Sequence, residues 1–354
     1  MDKKERKNMQ KLREFKGLLK KGRISTAIFF GEDKNINYFT EFDGFACLII
    51  PVKKMPILIV PELEYTRAMC TSKIKPIKWE KDVYDYIKKV TKGSSIGIDK
   101  EKISYNQYKR IKNKLGKNKI KDISNIISKI RQTKTEKEII YLKIACEKTD
   151  KIVQTAIEHI KKKKLKTETD VASFLVSETI KKELEIAFNP IVASGKNSRH
   201  PHHKPQNIKL KQGFCVIDYG VKYKNYCADM TRTIFIGTPS KNEIKEYNQV
   251  LNTQKKVING IKNNKLCSSL HKLSEKLLKQ KMIHALGHGI GIDVHESPAI
   301  NSKSKDKIKK GMVIAIEPGI YQKGGIRIED TLLIRDNAIT LTKTPKTLIS
   351  IKKP

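Results

Sequence analysis

No apolar run in this sequence approaches the roughly 18 residues that cross a bilayer; the longest, ACLIIPV at 46–52 and PILIV at 56–60, are short. The opening segment, MDKKERKNMQKLREF, lacks the apolar stretch of a secretory signal. With no span and no leader to read, a soluble cytoplasmic protein is the expectation. The six cysteines, at positions 47, 70, 146, 215, 227 and 267, form no CxxC pair. That removes the common zinc and redox spacings and leaves buried thiols as the expectation. Arginine is rare: ten residues among 74 Lys+Arg, so the net charge of +37 is almost all lysine. It is spread from end to end rather than gathered on one stretch, which suggests solvated surfaces and at most non-specific affinity for nucleic acid. Histidine is absent from the first 158 residues, and the acids there stand isolated. The chemistry must lie later.

What is present is enough for two domains and a sizeable core: 354 residues, 38% of them hydrophobic and 31% charged. Met9, Leu12, Phe15, Leu18 and Leu19 recur with a helical period. Short apolar runs (STAIFF, ACLIIPV, PILIV, SIGID) then alternate with helix-like stretches such as YDYIKKV and NQYKRIKNKL, as in a small α/β domain ending near residue 123. Thr135 with Glu138 has capping-box spacing and opens a long helix; Thr167 begins another, and Ser240 with Glu243 caps a third. A fourth runs through SSLHKLSEKLLKQKM. Extended segments follow each helix pair: IAFNPIVASG and FCVIDYG…MTRTIFIG after the first, GMVIAIEPGIY, GIRIEDTLLIRD and AITLTK after the second. The order suggests two similar halves in one domain.

Six of the eight histidines fall in two clusters, HPHH at 200–203 and HALGHGIGIDVHE at 284–296. His284 and His288 have the spacing of a helical HExxH zinc motif, but the Glu that serves there as base is missing. Gly287, Gly289 and Gly291 also make a poor helix interior. Any carboxylates must come from elsewhere. Asp218 in VIDYG and Asp229 in ADMTRT are eleven residues apart, an offset that suits a hairpin returning one acid beside the other. Glu317 in AIEPG and Glu329 in RIED form a second pair in apolar surroundings. Buried carboxylates are costly unless paired or bound to a cation, so four of them in such runs suggest a cation site. If they converge with one imidazole, the donor set is oxygen-rich and free of thiolate, which suits Mn²⁺ or Co²⁺, with Zn²⁺ or Fe²⁺ as alternatives. Two such ions roughly 3.5–4 Å apart can share a hydroxide and assist amide hydrolysis.

Together, IVASGKNSRHPHHKP, VIDYG…YCADMTRTIFIG, HALGHGIGIDVHE, IEPGIY and GIRIED resemble the prolidase and aminopeptidase P group of the M24 metallopeptidases. The resemblance covers about residues 124–354; NINYFTEFDGFACLII resembles the group's creatinase-like N-terminal domain more loosely. It implies an α+β architecture: a pita-bread catalytic domain over 124–354 and a smaller α/β domain over 1–123. It implies two divalent metals held by Asp218, Asp229, His288, Glu317 and Glu329. His202, His284 and His295 would be catalytic, with His202, His295 and Arg327 binding substrate, Arg327 beside a ligand or on the substrate's carboxylate side. The glycines around His288 would let backbone pass close to the metals. The expected substrate is a peptide with proline at its second position, the expected assembly a homodimer.

Between aminopeptidase and dipeptidase action the motifs choose weakly; Xaa-Pro aminopeptidase activity is the preferred reading and prolidase-type dipeptidase activity the alternative. Methionine aminopeptidase-like activity and a non-catalytic binding module are further alternatives. The blander readings are a solvated loop for His200 and His203, ordinary helix positions for His159 and His271, a plain ion-pair partner for Arg327, and packing for Tyr226 and Tyr321.

Overall fold

The computed structural model describes residues 10–79, 82–91, 94–116 and 119–352, in two compact units, 1–131 and 132–354. Met9, the first residue of the helical pattern, lies outside the described residues.

In the first unit the apolar runs become strands because both their faces are buried. Helix α1 (Gln10–Lys21) precedes β1 (Thr26–Gly31), α2 (Lys34–Thr40), β2 (Ala46–Pro51), β3 (Ile57–Val60), α3 (Glu62–Thr71) and β4 (Pro76–Lys78). Then come α4 (Val83–Thr91), β5 (Ile96–Ile98), α5 (Tyr105–Leu115), β6 (Ile120–Asp122) and α6 (Ser124–Gln132). The six strands form one mixed sheet, β4-β3-β2-β1-β5-β6. Ala27, Phe29, Leu48 and Ile50 join one apolar cluster with Leu12, Phe15 and Leu19 of α1. The residues between them, Ile28, Cys47 and Ile49, join another with Ile87 of α4 and Ile111 of α5. Side chains alternate across a strand, so a strand covered on both faces reads as a continuous apolar run.

The second unit opens on α7 (Glu136–Lys161) and α8 (Glu168–Lys181), each with a complete capping box: Thr135 with Glu138, and Thr167 with Asp170. Strands β7 (Glu185–Ile186), β8 (Ile191–Ser194), β9 (Gly213–Tyr219), β10 (Val221–Tyr223), β11 (Tyr226–Cys227) and β12 (Met230–Ile236) follow. A second helix pair, α9 (Lys241–Asn259) with its Ser240–Glu243 box and α10 (Cys267–Leu278), leads into β13 (Gly287–Gly289), β14 (Glu296–Ile300) and β15 (Val313–Ile316). The chain ends through β16 (Gly319–Ile320), β17 (Ile326–Arg327), β18 (Asp330–Ile334), β19 (Ala338–Thr340) and β20 (Ser350–Ile351). Two sheets carry the site: β20-β12-β9-β8 and β14-β13-β15-β18-β19. Leu270 of α10 and Val257 of α9 pack on Ile314, Ile316 and Leu332 beneath the second sheet.

A buried ion pair fixes the two acid-bearing strands. Arg232 on β12 meets Asp330 on β18 at 2.8 Å and donates to the Glu329 carbonyl at 2.6 Å. Asp330 also accepts from Thr342, Gln254 and Lys346, so its carboxylate is saturated. Five of the six cysteines are buried free thiols as the sequence suggests; Cys70 on α3 is exposed. Among the described residues no helix is long and apolar enough to cross a membrane.

Candidate metal centre

The hairpin β9–β12 places Asp218 opposite Thr231, with Asp229 just ahead of β12. In the other sheet His288 on β13 stands opposite Ala315 on β15, Glu317 follows β15 directly, and Glu329 immediately precedes β18. The glycines that flank His288 have a definite cause in the strands on either side. A Cβ at 287 would overlap the Ala315 carbonyl, 2.9 Å from its carbon; one at 289 would sit 2.8 Å from the Glu296 carbonyl oxygen and closer to that of Ser297. The close approach seen here is that of β13 to β14 and β15.

All nine residues singled out from the sequence line one cavity of about 870 Å³: His202, Asp218, Asp229, His284, His288, His295, Glu317, Arg327 and Glu329. His288 Nε2 lies 3.6 Å from Asp229, 3.7 Å from Glu317 and 4.0 Å from Glu329. Three overlapping trios have ligand atoms mutually close enough to surround an ion: Asp218–Asp229–Glu329, His288–Glu317–Glu329 and Asp229–His288–His295. Glu329 belongs to the first two, so one carboxylate joins two adjacent donor sets. His295 reaches the set at its edge, its ring against that of His288 in a T-shaped contact at 4.3 Å.

Three observations fit this arrangement to cations. Oδ1 of Asp218 and Oδ1 of Asp229 are buried without a hydrogen-bond partner, which is costly for oxygens left so. His288 Nδ1 is 3.0 Å from the Gly289 carbonyl, so Nδ1 carries the proton and the Nε2 lone pair faces the acids, the tautomer a ligand needs. Burial pushes the carboxyls of Asp229 and Glu329 well above the usual carboxylate range, with neighbouring carboxylates adding to it, and lifts Glu317 to about 8. Burial also lowers His288 to about 4, with His295 adding to the effect. Buried acids that repel one another beside a neutral imidazole are what a dication would reconcile.

Around this core runs a chain of hydrogen bonds. Arg327 donates to Asp218 at 2.6 Å, to Thr231 Oγ1 at 3.1 Å, to the Tyr321 hydroxyl at 3.1 Å and to the Pro201 carbonyl at 3.2 Å. Thr231 in turn donates to Glu329 at 2.7 Å. Tyr321 is also 2.9 Å from His284 Nε2, whose Nδ1 is 2.7 Å from the Ala285 carbonyl. The carbonyl fixes the proton on Nδ1, so Tyr321 donates to Nε2 while accepting from Arg327. Burial lowers His284 to about 4 and His295 below its ordinary value. Burial opposes the Arg327 charge, but Asp218, Tyr321, Glu317 and Glu329 together outweigh it and raise its pKa.

Sequence reasoning missed three participants. Tyr321 has a bridging place that its position at the end of IEPGIY only hints at. Thr231 sits within ADMTRT but gives no sign that its hydroxyl meets Glu329. His203 is not a solvated loop residue: its Nε2 is 2.8 Å from the carboxylate of Glu168, which is fully buried. His271 is buried at a structural post, its Nδ1 accepting from Leu286 N at 3.2 Å, and His159 packs on Phe174.

The sequence model of metallopeptidase family M24 matches residues 141–336, and that of the creatinase/prolidase N-terminal domain matches 11–133. The chain is 35% identical over 335 residues to a Xaa-Pro dipeptidase of Pyrococcus furiosus, covering 91% of this chain and 94% of that one. Its structure is similar to the prolidase from Pyrococcus horikoshii OT3, with a TM-score of 0.87 and 33% identity over 96% of this chain and all of the other. It is also similar to an X-Pro aminopeptidase from Thermotoga maritima, with a TM-score of 0.84 and 29% identity over 93% and 98%. The protein belongs to metallopeptidase family M24. It is a metal-dependent hydrolase with the expected architecture, a creatinase-like N-terminal domain before a pita-bread catalytic domain.

Proposed function

We propose that the protein is a Xaa-Pro dipeptidase holding two divalent cations, Mn²⁺ or Co²⁺, and acting as a cytoplasmic homodimer. The dipeptidase reading replaces the aminopeptidase preference drawn from the motifs, because two relatives named Xaa-Pro dipeptidase are 35% and 34% identical and the X-Pro aminopeptidase from Thermotoga maritima 29%. The observation that carries the metal assignment is Glu329 shared between two donor trios. In this reading Asp218, Asp229, His288, Glu317 and Glu329 would hold the two cations. An oxygen-rich set with a single imidazole ligand and no thiolate favours Mn²⁺ or Co²⁺ over Zn²⁺.

An X-Pro bond is a tertiary amide, so a site cannot grip an N–H on the leaving side. Phe188, Pro190, Ile191, Pro201, Pro205 and Val294 supply instead an apolar wall to the cavity, suited to a pyrrolidine ring. Bound divalent cations lower the pKa of water and polarise a carbonyl, which is the hydrolytic chemistry the site needs. The chain's own residues do the rest. His295, at the edge of the ligand set, donates to the scissile carbonyl oxygen as negative charge develops there. His284 takes up and returns a proton at Nε2, with the Tyr321 hydroxyl as its partner. His202 lines the substrate side of the cavity. Arg327 holds the Asp218 carboxylate and, through Thr231, the Glu329 carboxylate in position, as supports of a ligand set do.

The test is hydrolysis of Ala-Pro, Ala-Pro-Ala and Met-Ala-Ser by protein loaded with Mn²⁺ or Co²⁺, against chelated protein. Release from Ala-Pro well above the two tripeptides supports the proposal. Equal or better cleavage of Ala-Pro-Ala returns it to an aminopeptidase, and activity that survives thorough chelation sinks the metal assignment.

A further inference from the structure

The substrate of a dipeptidase ends in a free carboxylate, and the cavity has a limited choice of groups to meet it. Only two of its lining residues carry a permanent positive charge, Arg327 and Lys204. Arg327 is 3% exposed, and its guanidinium is already committed to Asp218, Thr231, Tyr321 and the Pro201 carbonyl. A carboxylate arriving there would have to displace Asp218 from a 2.6 Å charge-assisted bond. Lys204 is exposed and, among the described residues, makes no ion pair or hydrogen bond.

The loop that carries Lys204 is anchored on both sides by one carboxylate. Glu168, on the first turn of α8, is fully buried. Its Oε2 meets His203 Nε2 at 2.8 Å and accepts from Gln206 N at 3.1 Å, on either flank of Lys204. Its Oε1 accepts from Ser194 N at 2.8 Å, Ser194 Oγ at 2.9 Å and Asn197 Nδ2 at 3.1 Å. A buried charge so fully satisfied is expensive to rearrange. The backbone at 203–206 is therefore held, while the lysine side chain keeps its freedom at the lip of the cavity. Pro201 and Pro205, which also line the cavity, stiffen the same loop.

We propose that Lys204, presented by the Glu168-anchored loop, is the group that recognises the free carboxylate of a C-terminal proline and so restricts the enzyme to dipeptides. This rests on the dipeptidase reading above. Glu168 is a positioning residue, acting on substrate only through the loop.

The experiment compares wild type, Lys204→Met and Lys204→Arg, loaded with Mn²⁺, on Ala-Pro and on alanyl-prolinamide, whose carboxylate is capped. An exposed ion pair contributes little and a charged hydrogen bond rather more, so Lys204→Met should raise KM for Ala-Pro about 3- to 10-fold. Its kcat should stay within about twofold, its kinetics on the amide should match wild type, and Lys204→Arg should restore most of the loss. Glu168→Gln should raise KM for Ala-Pro in the same direction while Lys204→Met in that background adds less than it does alone. Equal effects of Lys204→Met on both substrates, or none on either, overturn the proposal. If wild type cleaves neither substrate, the peptidase reading has failed, and titration with L-proline and L-prolinamide still decides the matter. A preference for proline that disappears in Lys204→Met supports the role of Lys204; no preference overturns it.

Discussion

Replacing Gly287 by Ala adds a single methyl group, and the structure says where it must go. The new Cβ would lie 2.9 Å from the Ala315 carbonyl carbon, nearer still to its oxygen, and 3.4 Å from Ile316 Cα. All three atoms are backbone of β15, which is held between β13 and β18 by regular pairing and cannot swing aside as a side chain could. Strand β13 must move away from β15 by about half an ångström or more, or the pairing must break. Overpacking of this kind costs about 1–3 kcal/mol. For a domain of this size that is a fall in Tm of about 3–10 °C. The functional effect should be larger than the stability effect, because the displaced strand carries His288, and small misplacements at a reacting centre can cost about 100-fold in rate. Differential scanning fluorimetry on metal-free protein reads the first effect; elemental analysis and kcat on Ala-Pro read the second. Gly17→Ala is the control: Gly17 is exposed on α1 with nothing within 4 Å of its added Cβ, and a helix-interior Gly→Ala change of this sort should stabilise by about 0.5–1 kcal/mol. A Gly287→Ala protein that melts within a degree of wild type and keeps its metal would refute the view that the glycines exist for strand approach.

Three further outcomes are expected. Glu329→Ala should lose most bound metal and all measurable turnover while keeping its circular dichroism spectrum, whereas His295→Ala should keep its metal and lose about 10²–10³ in kcat; a metal-replete, active Glu329→Ala variant removes Glu329 from the ligand set. Metal uptake at about pH 6.5 should release protons from carboxyls, because Glu317 is lifted by burial to about 8 and Asp229 and Glu329 are also raised, while His288, lowered to about 4, is already neutral and releases none. Release should shrink as pH rises through about 8, and calorimetry in two buffers of different ionisation enthalpy that finds no proton release near pH 6.5 contradicts the protonated state of the free acids. Arg232→Met should destabilise by about 3–5 kcal/mol because it leaves Asp330 buried without its guanidinium, and a urea midpoint close to wild type would show that Lys346 suffices alone.

The sequence announced the parts of the fold whose signal is local. Capping boxes at Thr135 and Ser240 are satisfied in the helices they begin, since each is read from two residues three apart. The four acids that the structure brings into one cavity stood out for a different reason: Asp218, Asp229, Glu317 and Glu329 sit in apolar runs where an uncompensated charge would be prohibitive. Strand β13 was not legible, because Gly287 and Gly289 weaken any strand propensity, and the approach of β14 and β15 that calls for them is a matter of pairing rather than of local pattern. Nor was Glu168. Nothing in KTETDVAS distinguishes the acid that lies buried under the loop at 203–206 from its solvated neighbours. The contacts that escaped notice are those whose two partners lie in unrelated stretches, as with Thr231 and Glu329 or Tyr321 and His284.

Charge makes the same point at the scale of the molecule. A net charge of +37 would suggest a protein that attracts anions everywhere. The cavity inverts that: four carboxylates, Asp218, Asp229, Glu317 and Glu329, face inward against one guanidinium, and that guanidinium is bound to one of the four. Surface lysines are screened by water and salt within about 10 Å, so they do little to relieve this interior repulsion. The remaining neutralisation has to come from within the site, by protons when it is metal-free and by dications when it is loaded. Lys204 stands where these two regimes meet, exposed like the surface lysines yet at the rim of the acidic cavity. A dipeptide oriented with its carboxylate toward Lys204 and its scissile bond toward Glu329 and His288 would follow that gradient of charge, whereas a longer peptide would have to carry uncharged chain past the same lysine.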